Sequence, residues 1–484
     1  MSHLSRRRFL SRSMAAAGIS AGFAIGGTKS SGRVIGANDT IRIGVAGIHG
    51  RGREHIHEFA RMKGVEITYL IDPDTRTYAP ATALYALETL GKGAKPKTVQ
   101  DVRQALDDKE LDAISVATPN HWHSLLTIWG CQAGKDVYVE KPCSHNVHEG
   151  RVAVEAARKF DRIVQHGTQN RSNPYWINVA ELVKSGKYGK LLVSRGLCYK
   201  RRKSIGTQPT TATPEGLDFN LWTGPAAEHA FNTNLVHYNW HWFWDFGNGD
   251  IGNQGVHEID KARWLIPGAT LPKSVISLGG RFGYQDQGET ANTQIAVFDY
   301  GDTQLIFEVR GLETKGYFDQ SVGNIAHLEE GTIAGNFFYP KKGGDREPLP
   351  KPENADKGQT NHFANFIDAV RSRKSSELHA DILEGHYSSA LCHLANISYR
   401  LGENVPFNSA SKSFGDNKEA YETLGRMEEH LSKDNGLKLD ELTYRVGPKL
   451  QVNAKTESFV NAPEADKLLT REYREPFTVP KSIA

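Results

Sequence analysis

Ile41-Arg42-Ile43-Gly44-Val45-Ala46-Gly47-Ile48-His49-Gly50-Arg51-Gly52 is the stretch on which the fold turns. A short β-branched run, Ile41–Ala46, leads into glycines, and residues 53–62 have helical composition. In a strand, turn and helix joined this way, the first glycine makes the tight turn, the second lets backbone approach a pyrophosphate, and the last lets helix pack close to strand. N–H groups at the helix start then bind the anion. Read as G-x-G-x-x-G, the loop supplies Gly47 and Gly52 but has His49 in the middle, followed by Gly50 and Arg51. The next strand-like run, Val65–Ile71, ends at Asp72, 20 residues past Gly52. An acid there accepts both ribose hydroxyls of a dinucleotide and repels a 2′-phosphate. NAD is therefore the expected cofactor and NADP the less favoured one, with Arg76 the nearby cation that works against the preference.

Working outward, residues 81–90 are helical, 113–117 and 137–139 are buried-strand runs separated by helical 123–133, and helix 148–160 with strand 163–166 closes the series. Strands alternating with helices of this length indicate a parallel, doubly wound sheet. After helix Pro174–Lys184 the texture changes: Leu191–Tyr199, 272–278, 292–299 and Gln304–Arg310 are strand runs with few helices between them. The expected architecture is an α/β Rossmann-type domain at 38–165, then an α+β domain at 166–410 with a large, mainly antiparallel open sheet. Residues 341–359 read as a charged, Pro/Gly-rich surface loop, and helices follow at 362–371 and 380–401. The charged extension 411–484 has no assigned place.

The chain has 484 residues, which at roughly 150 per domain means two or three domains. Its 59 Lys plus Arg exceed 56 Asp plus Glu by three, but residues 1–37 hold six of the basic side chains and no acid. What remains is slightly acidic, which speaks against nucleic acid or an anionic membrane as partner. Four cysteines without CxxC spacing give neither a disulfide framework nor a thiolate zinc site. His121, His123, His145 and His148 have no thiolate or carboxylate at a spacing that completes a tetrahedral set, so no metal is expected. Ser5-Arg6-Arg7-Arg8-Phe9-Leu10, followed by the weakly apolar residues 14–27, resembles a twin-arginine export signal. Fourteen residues at about 1.5 Å each fall short of a roughly 30 Å hydrocarbon core, so no permanent span is expected. The expectation is a periplasmic or otherwise exported protein, carried folded by the twin-arginine machinery with NAD already tightly bound.

Glu140-Lys141-Pro142 follows a strand, and upstream lies Ala117-Thr118-Pro119-Asn120-His121-Trp122-His123. Together with Gly249-Asp250-Ile251-Gly252-Asn253-Gln254-Gly255-Val256-His257-Glu258-Ile259-Asp260 and the block from His362 to His386, these motifs make the chain resemble the Gfo/Idh/MocA family over about residues 40–405. The resemblance implies a nucleotide-binding domain, then a substrate domain whose open sheet often supports oligomer contacts, which makes a homo-oligomer an expectation. It places His121 and His123 beside the nicotinamide. The expected cofactor contacts are Gly47, His49, Gly50, Arg51, Gly52, Asp72, Arg76, Thr118, Pro119, Asn120, His123, Glu140 and Lys141.

Oxidising a secondary alcohol requires its O–H proton to leave as hydride moves to nicotinamide C4. Lys141 can hydrogen-bond that oxygen and stabilise developing alkoxide, and His257 can serve as base. Family dehydrogenases commonly carry an aspartate four residues before the histidine. This chain has Asn253, whose amide orients an alcohol but cannot become a carboxylate. Asp250, His241 and Tyr238 therefore stay open as proton-transfer groups. The run from His237 through Trp240, His241, Trp242 and Trp244 interleaves aromatic faces with hydrogen-bonding groups, which suits a sugar ring or, alternatively, a core. The expected substrate contacts are Trp240, His241, Trp244, Asn253 and His257. Arg201, Arg202 and Lys203 either reach an anionic substrate group or form a solvated turn. The first functional expectation is an NAD(P)-dependent oxidoreductase acting on a sugar or cyclitol hydroxyl. The second comes from similarity to NAD-using glycosidases of the α-N-acetylgalactosaminidase type, which oxidise transiently and eliminate. The third is a non-catalytic carbohydrate-binding protein with bound NAD.

Overall fold

The glycine loop leaves β1 (Ile41–Ala46) from the middle of a six-stranded sheet. A computed structural model of the chain describes residues 40–351, 360–407 and 413–483; the arginine-rich leader lies outside them. From β1 the chain runs through α1 (Gly52–Ala60), β2 (Val65–Ile71), α2 (Tyr78–Glu88), β3 (Lys97–Val99), α3 (Val102–Leu106), β4 (Ala113–Val116), α4 (Asn120–Gln132), β5 (Asp136–Val139), α5 (Val147–Lys159) and β6 (Val164–His166). The strand order is β3-β2-β1-β4-β5-β6 and every pair is parallel. β4 and β5 are buried along their whole length, as strands covered by helices on both faces must be. The order reverses between β1 and β4, and the crevice beyond their carboxyl ends is where such a sheet binds ligand.

The second part contains α6 (Pro174–Lys184), β7 (Leu191–Tyr199), α7 (Phe219–Thr223), α8 (Gly249–Asn253), α9 (Gly255–Leu265), β8 (Ser274–Gly280), β9 (Thr293–Asp299), β10 (Gln304–Arg310) and β11 (Val322–Leu328). It continues through β12 (Gly331–Ala334), β13 (Phe337–Pro340), β14 (Glu347–Pro348), α10 (His362–Ser372), α11 (Ile382–Arg400), β15 (Glu403–Pro406), α12 (Lys418–Glu429), β16 (Thr443–Val446), β17 (Leu450–Asn453) and β18 (Ser458–Phe459). Its strands form one sheet of 12, with β7 and β10 a parallel pair among antiparallel ones. One face packs on α9 and α11 through Val256, Ile259, Leu391 and Leu394 against Phe298 and Phe307. The other face meets α12, whose Ala420, Leu424 and Met427 cover Ile276, Ile295 and Ile306.

Three results depart from the sequence reading. The extension beyond 411 is built into the fold: α12 covers a sheet face, β16 and β17 pair with β8, and Phe477 packs edge-on against Trp122 at 5.4 Å. Secondly, α10 lies on the nucleotide-binding sheet, its Phe363 stacked on Tyr138 at 4.7 Å beside Phe59. Within the expected loop at 341–359, Glu347–Pro348 adds an edge strand to β13, because a proline there removes no ladder donor that the edge needs. Among the described residues no helix is long and apolar enough to cross a membrane.

Candidate active site

A cleft of about 410 Å³ opens at the β1/β4 crevice and continues to the loop 237–240 and the end of α8. Gly47 sits at φ +79°, and a Cβ there would stand 2.6 Å from the Ala117 carbonyl oxygen. At Gly52 a Cβ would meet the Gly47 carbonyl at 1.7 Å, so Gly52 closes helix on strand and does not line the cleft. Gly50 does line it, with open space where a Cβ would be. No side chain caps α1, and the Arg53 and Glu54 N–H groups of its first turn close on the Gly50 and Arg51 carbonyls at 3.1 and 3.0 Å.

Asp72 closes the cleft on the β2 side, 6% exposed. Its Oδ2 accepts the Ile48 N–H and its Oδ1 the Asp74 N–H, both at 3.0 Å. Burial nevertheless outweighs these bonds and pushes the carboxyl up to about 6. Arg76 does not reach the cleft. Its guanidinium is forked onto Asp74 at 2.7 and 2.6 Å, so the cation that favoured NADP is already neutralised. Thr118, Pro119 and Asn120 form the opposite wall. Thr118 Oγ1 and Asn120 Nδ2 are buried there with no partner among the described residues. Unpaired polar atoms lining a glycine-bared crevice fit a dinucleotide, which would satisfy them.

Glu140 and Lys141 follow β5. Glu140 Oε1 receives Arg51 Nε at 2.8 Å, Gln169 Nε2 at 3.0 Å and His55 Nε2 at 3.2 Å. Burial would raise this carboxyl, but these partners hold it well below the usual range. Glu140 is thus an anchor that ties the glycine loop to the lysine turn, and sequence reasoning missed its partners His55 and Gln169. Lys141 Nζ donates to the Asn253 carbonyl at 2.8 Å, and burial lowers the ammonium from its ordinary value. His123 lines the cleft with both ring nitrogens on backbone, Nδ1 2.6 Å from the Pro142 carbonyl and Nε2 2.8 Å from that of Thr118.

Several expected contacts are corrected. His257 is not part of the cleft wall; its Nδ1 has no partner among the described residues, and burial, reinforced by Lys141, lowers the ring to about 3. Asp260, on the same helix, is consumed by Arg171 at 2.9 Å and Ser388 at 2.6 Å. His241 is buried away from the cleft with Nδ1 on the Tyr238 carbonyl at 2.8 Å, and Trp244 lies under the Arg400 guanidinium. Of the substrate set only Trp240 and Asn253 line the cleft, joined by Lys200, Trp222, His237, Tyr238 and Gln254. His237 stacks on His49 of the glycine loop at 4.2 Å and reaches Asp74 at 3.0 Å, so the second part of the chain leans over the first. Arg202 is clamped on Asp250 at 2.8 and 2.5 Å, and Arg201 forms an exposed pair with Glu313 at 2.9 Å. The signal for His237 and Tyr238 was their position at the head of the aromatic run.

Comparison with known proteins matches this layout. An inositol 2-dehydrogenase of Corynebacterium glutamicum is 31% identical over 173 residues, 35% of this chain and 48% of that protein. A glycosyl hydrolase family 109 protein of Shewanella pealeana is 27% identical over 170 residues, 34% of this chain and 37% of that protein. The chain spans about half the length, or less, of the curated relatives it matches. Among solved structures, the WlbA dehydrogenase of Bordetella pertussis, in complex with NADH and UDP-GlcNAcA, superposes with a TM-score of 0.55 at 19% identity, covering 75% of this chain and 97% of that one. The oxidoreductase YvaA of Bacillus subtilis, described as putative, gives 0.53 at 15% identity, covering 74% and 95%. Both share the fold. Residues 41–168 match the oxidoreductase family's NAD-binding Rossmann fold, and residues 182–432 match its C-terminal alpha/beta domain. With consecutive parts of one family accounting for both sheets and the cleft between them, the chain belongs to the Gfo/Idh/MocA oxidoreductase family.

Proposed function

We propose that the protein is an NAD-dependent oxidoreductase that oxidises a ring hydroxyl of a sugar or cyclitol. The observation that carries this reading is Lys141, an ammonium beside the nucleotide crevice with one donor spent on Asn253 and the others left for a substrate oxygen. NAD, when bound, supplies the hydride acceptor. Lys141 orients the hydroxyl and stabilises alkoxide character as it develops. Trp240 and Trp222 give the C–H face of a ring an apolar wall, while Asn253 and Gln254 offer polar groups to its hydroxyls. Gly47, Gly50 and the loop backbone before α1 would hold the pyrophosphate, and Asp72 the ribose. The relatives named inositol 2-dehydrogenase support a polyol substrate.

The match to glycosyl hydrolase family 109 proteins favours a second reading, transient oxidation followed by elimination of an aglycone. One experiment separates the two. Purified protein is incubated with cyclitols, free sugars and aryl glycosides, and products are followed by mass spectrometry together with absorbance of reduced nicotinamide. A ketone with reduced nicotinamide supports the oxidoreductase; a released aglycone with unchanged nicotinamide supports the glycosidase. Binding without either result overturns both.

Export by the twin-arginine route belongs to the same proposal and is supported by Arg6-Arg7-Arg8-Phe9-Leu10. Replacing Arg6 and Arg7 by Lys is expected to retain the protein in the cytoplasm. An unchanged periplasmic yield overturns the assignment.

A further inference from the structure

We propose that Tyr238 is the catalytic group that takes the substrate hydroxyl's proton, the part that spacing assigned to His257. The proposal rests on the oxidoreductase reading. Tyr238 lines the cleft together with Lys141, Asn253 and Trp240, and it is 54% exposed where most large aromatic side chains of the fold are covered. Its hydroxyl oxygen accepts Arg202 NH1 at 3.2 Å, and the Asn253 amide lies near enough to favour the ionised phenol. Asn253 therefore neighbours both reacting groups: its carbonyl fixes the Lys141 ammonium at 2.8 Å, and its amide stands near the phenol.

The alternatives are occupied elsewhere. Both Asp250 oxygens are taken by Arg202 at 2.8 and 2.5 Å. His257 is half-buried, and burial together with the nearby Lys141 ammonium lowers its ring to about 3, which makes it a weak base; His241 is buried off the cleft wall. His237 lines the cleft but stacks on His49 and reaches Asp74, which places it at the dinucleotide end. The groups facing the Tyr238 oxygen or ring are Arg202, with Asp250 behind it, Asn253, Lys141 and the His241 ring at 4.9 Å. Burial pushes the phenol up, but the Arg202 guanidinium and the Asn253 amide outweigh it and hold Tyr238 below the ordinary tyrosine range. The amide at 253 now has a physical reason. A carboxylate there would repel a phenolate, whereas an amide N–H donates to it.

With NAD⁺ bound as hydride acceptor, the substrate C–H electron pair would leave as hydride to the nicotinamide while the O–H proton would pass to the Tyr238 phenolate. The products are a ketone, NADH and neutral tyrosine, which returns its proton to water through its exposed edge. Lys141 keeps its proton and hydrogen-bonds the oxygen throughout.

The first test needs no turnover. Tyrosinate absorbance of the NAD-loaded protein is followed through an alkaline titration, in wild type and in Tyr238→Phe. One tyrosine is expected to ionise early and to be missing from the variant; Tyr78, Tyr138 and Tyr199 do not interfere, because burial raises them. The second test is stopped-flow nicotinamide reduction by an active alcohol. Tyr238→Phe should lose about 10²-fold in rate and the limb that rises with pH, while its unfolding midpoint stays in place. His257→Gln should keep that limb, and Asn253→Asp should move it to higher pH. An early-ionising tyrosine that survives in Tyr238→Phe overturns the proposal. So does a variant that keeps wild-type rate and limb, or a limb that vanishes in His257→Gln. Wild-type protein that reduces no nicotinamide with any alcohol sinks the oxidoreductase reading itself, a result distinct from normal wild-type reduction matched by the Phe variant.

Discussion

Lys141→Met is expected to slow nicotinamide reduction by roughly 10²–10⁴-fold, the scale of a positioned acid/base group. Methionine keeps the length and apolar stem of lysine but removes the three donors, so the substrate oxygen loses its cationic partner as negative charge builds on it. NAD affinity should stay within a few-fold of wild type. The glycine loop is tied to this turn through Arg51 and the Glu140 carboxylate, and that link does not involve the Lys141 side chain. The measurement is single-turnover reduction with an active alcohol, beside a titration of NAD by tryptophan quenching. The loss should appear under either functional reading, because the glycosidase cycle also begins with oxidation. Normal reduction in the variant would remove Lys141 from hydride transfer altogether and leave the segment around Trp240 as the place to search.

The parts of this molecule legible in the sequence are those whose signal is local. Ile41–Ala46, the glycines and Asp72 lie within one strand, turn, helix and strand, and the resulting sheet order follows from the alternation of elements. The C-terminal extension was opaque because β16 and β17 have four residues each and pair with β8, more than 160 positions away in sequence. Yet α12 carried a readable pattern: Ala420, Thr423, Leu424 and Met427 are its buried residues, at helical spacing in an otherwise charged segment. In the active site, spacing identified Lys141 and Asn253 but not which neighbours face the cleft. His257 and Trp244 were chosen by chemistry and position, and only the packing of α9 and of the 237–246 segment decides that one stands half-buried beside the wall and the other lies under Arg400. Arg202 was read as a substrate contact or a solvated cation, whereas it spans Asp250 and the phenol of Tyr238.

Asp72→Ala is expected to weaken NAD by about 1.5–3 kcal/mol, the usual range for a lost hydrogen bond to a charged group. The structure adds a second reason to the ribose contact: the same carboxylate holds the Ile48 N–H of the glycine loop, so the variant loosens the pyrophosphate end as well. The preference over NADP should fall mainly through the loss of NAD affinity, since Arg76 remains forked on Asp74 and offers a 2′-phosphate little. The carboxyl also gives a pH signature with a definite sign. Its pKa is raised from 3.8 to about 6 in the folded protein. Above that value it is ionised and accepts the ribose hydroxyls; below it the proton occupies an acceptor, and NAD affinity should fall by up to about tenfold per pH unit. Stability of the NAD-free protein runs the other way. The folded state takes up this proton before the unfolded chain does, so as pH falls from about 6 towards 3.8 Asp72 stabilises the fold by up to about 3 kcal/mol, and that contribution is lost as pH rises again. Paired titrations of NAD affinity and denaturant midpoint, in wild type and Asp72→Ala, read both trends, and the variant should lack each of them. Equal pH dependence in the two proteins would place the ribose on some other group.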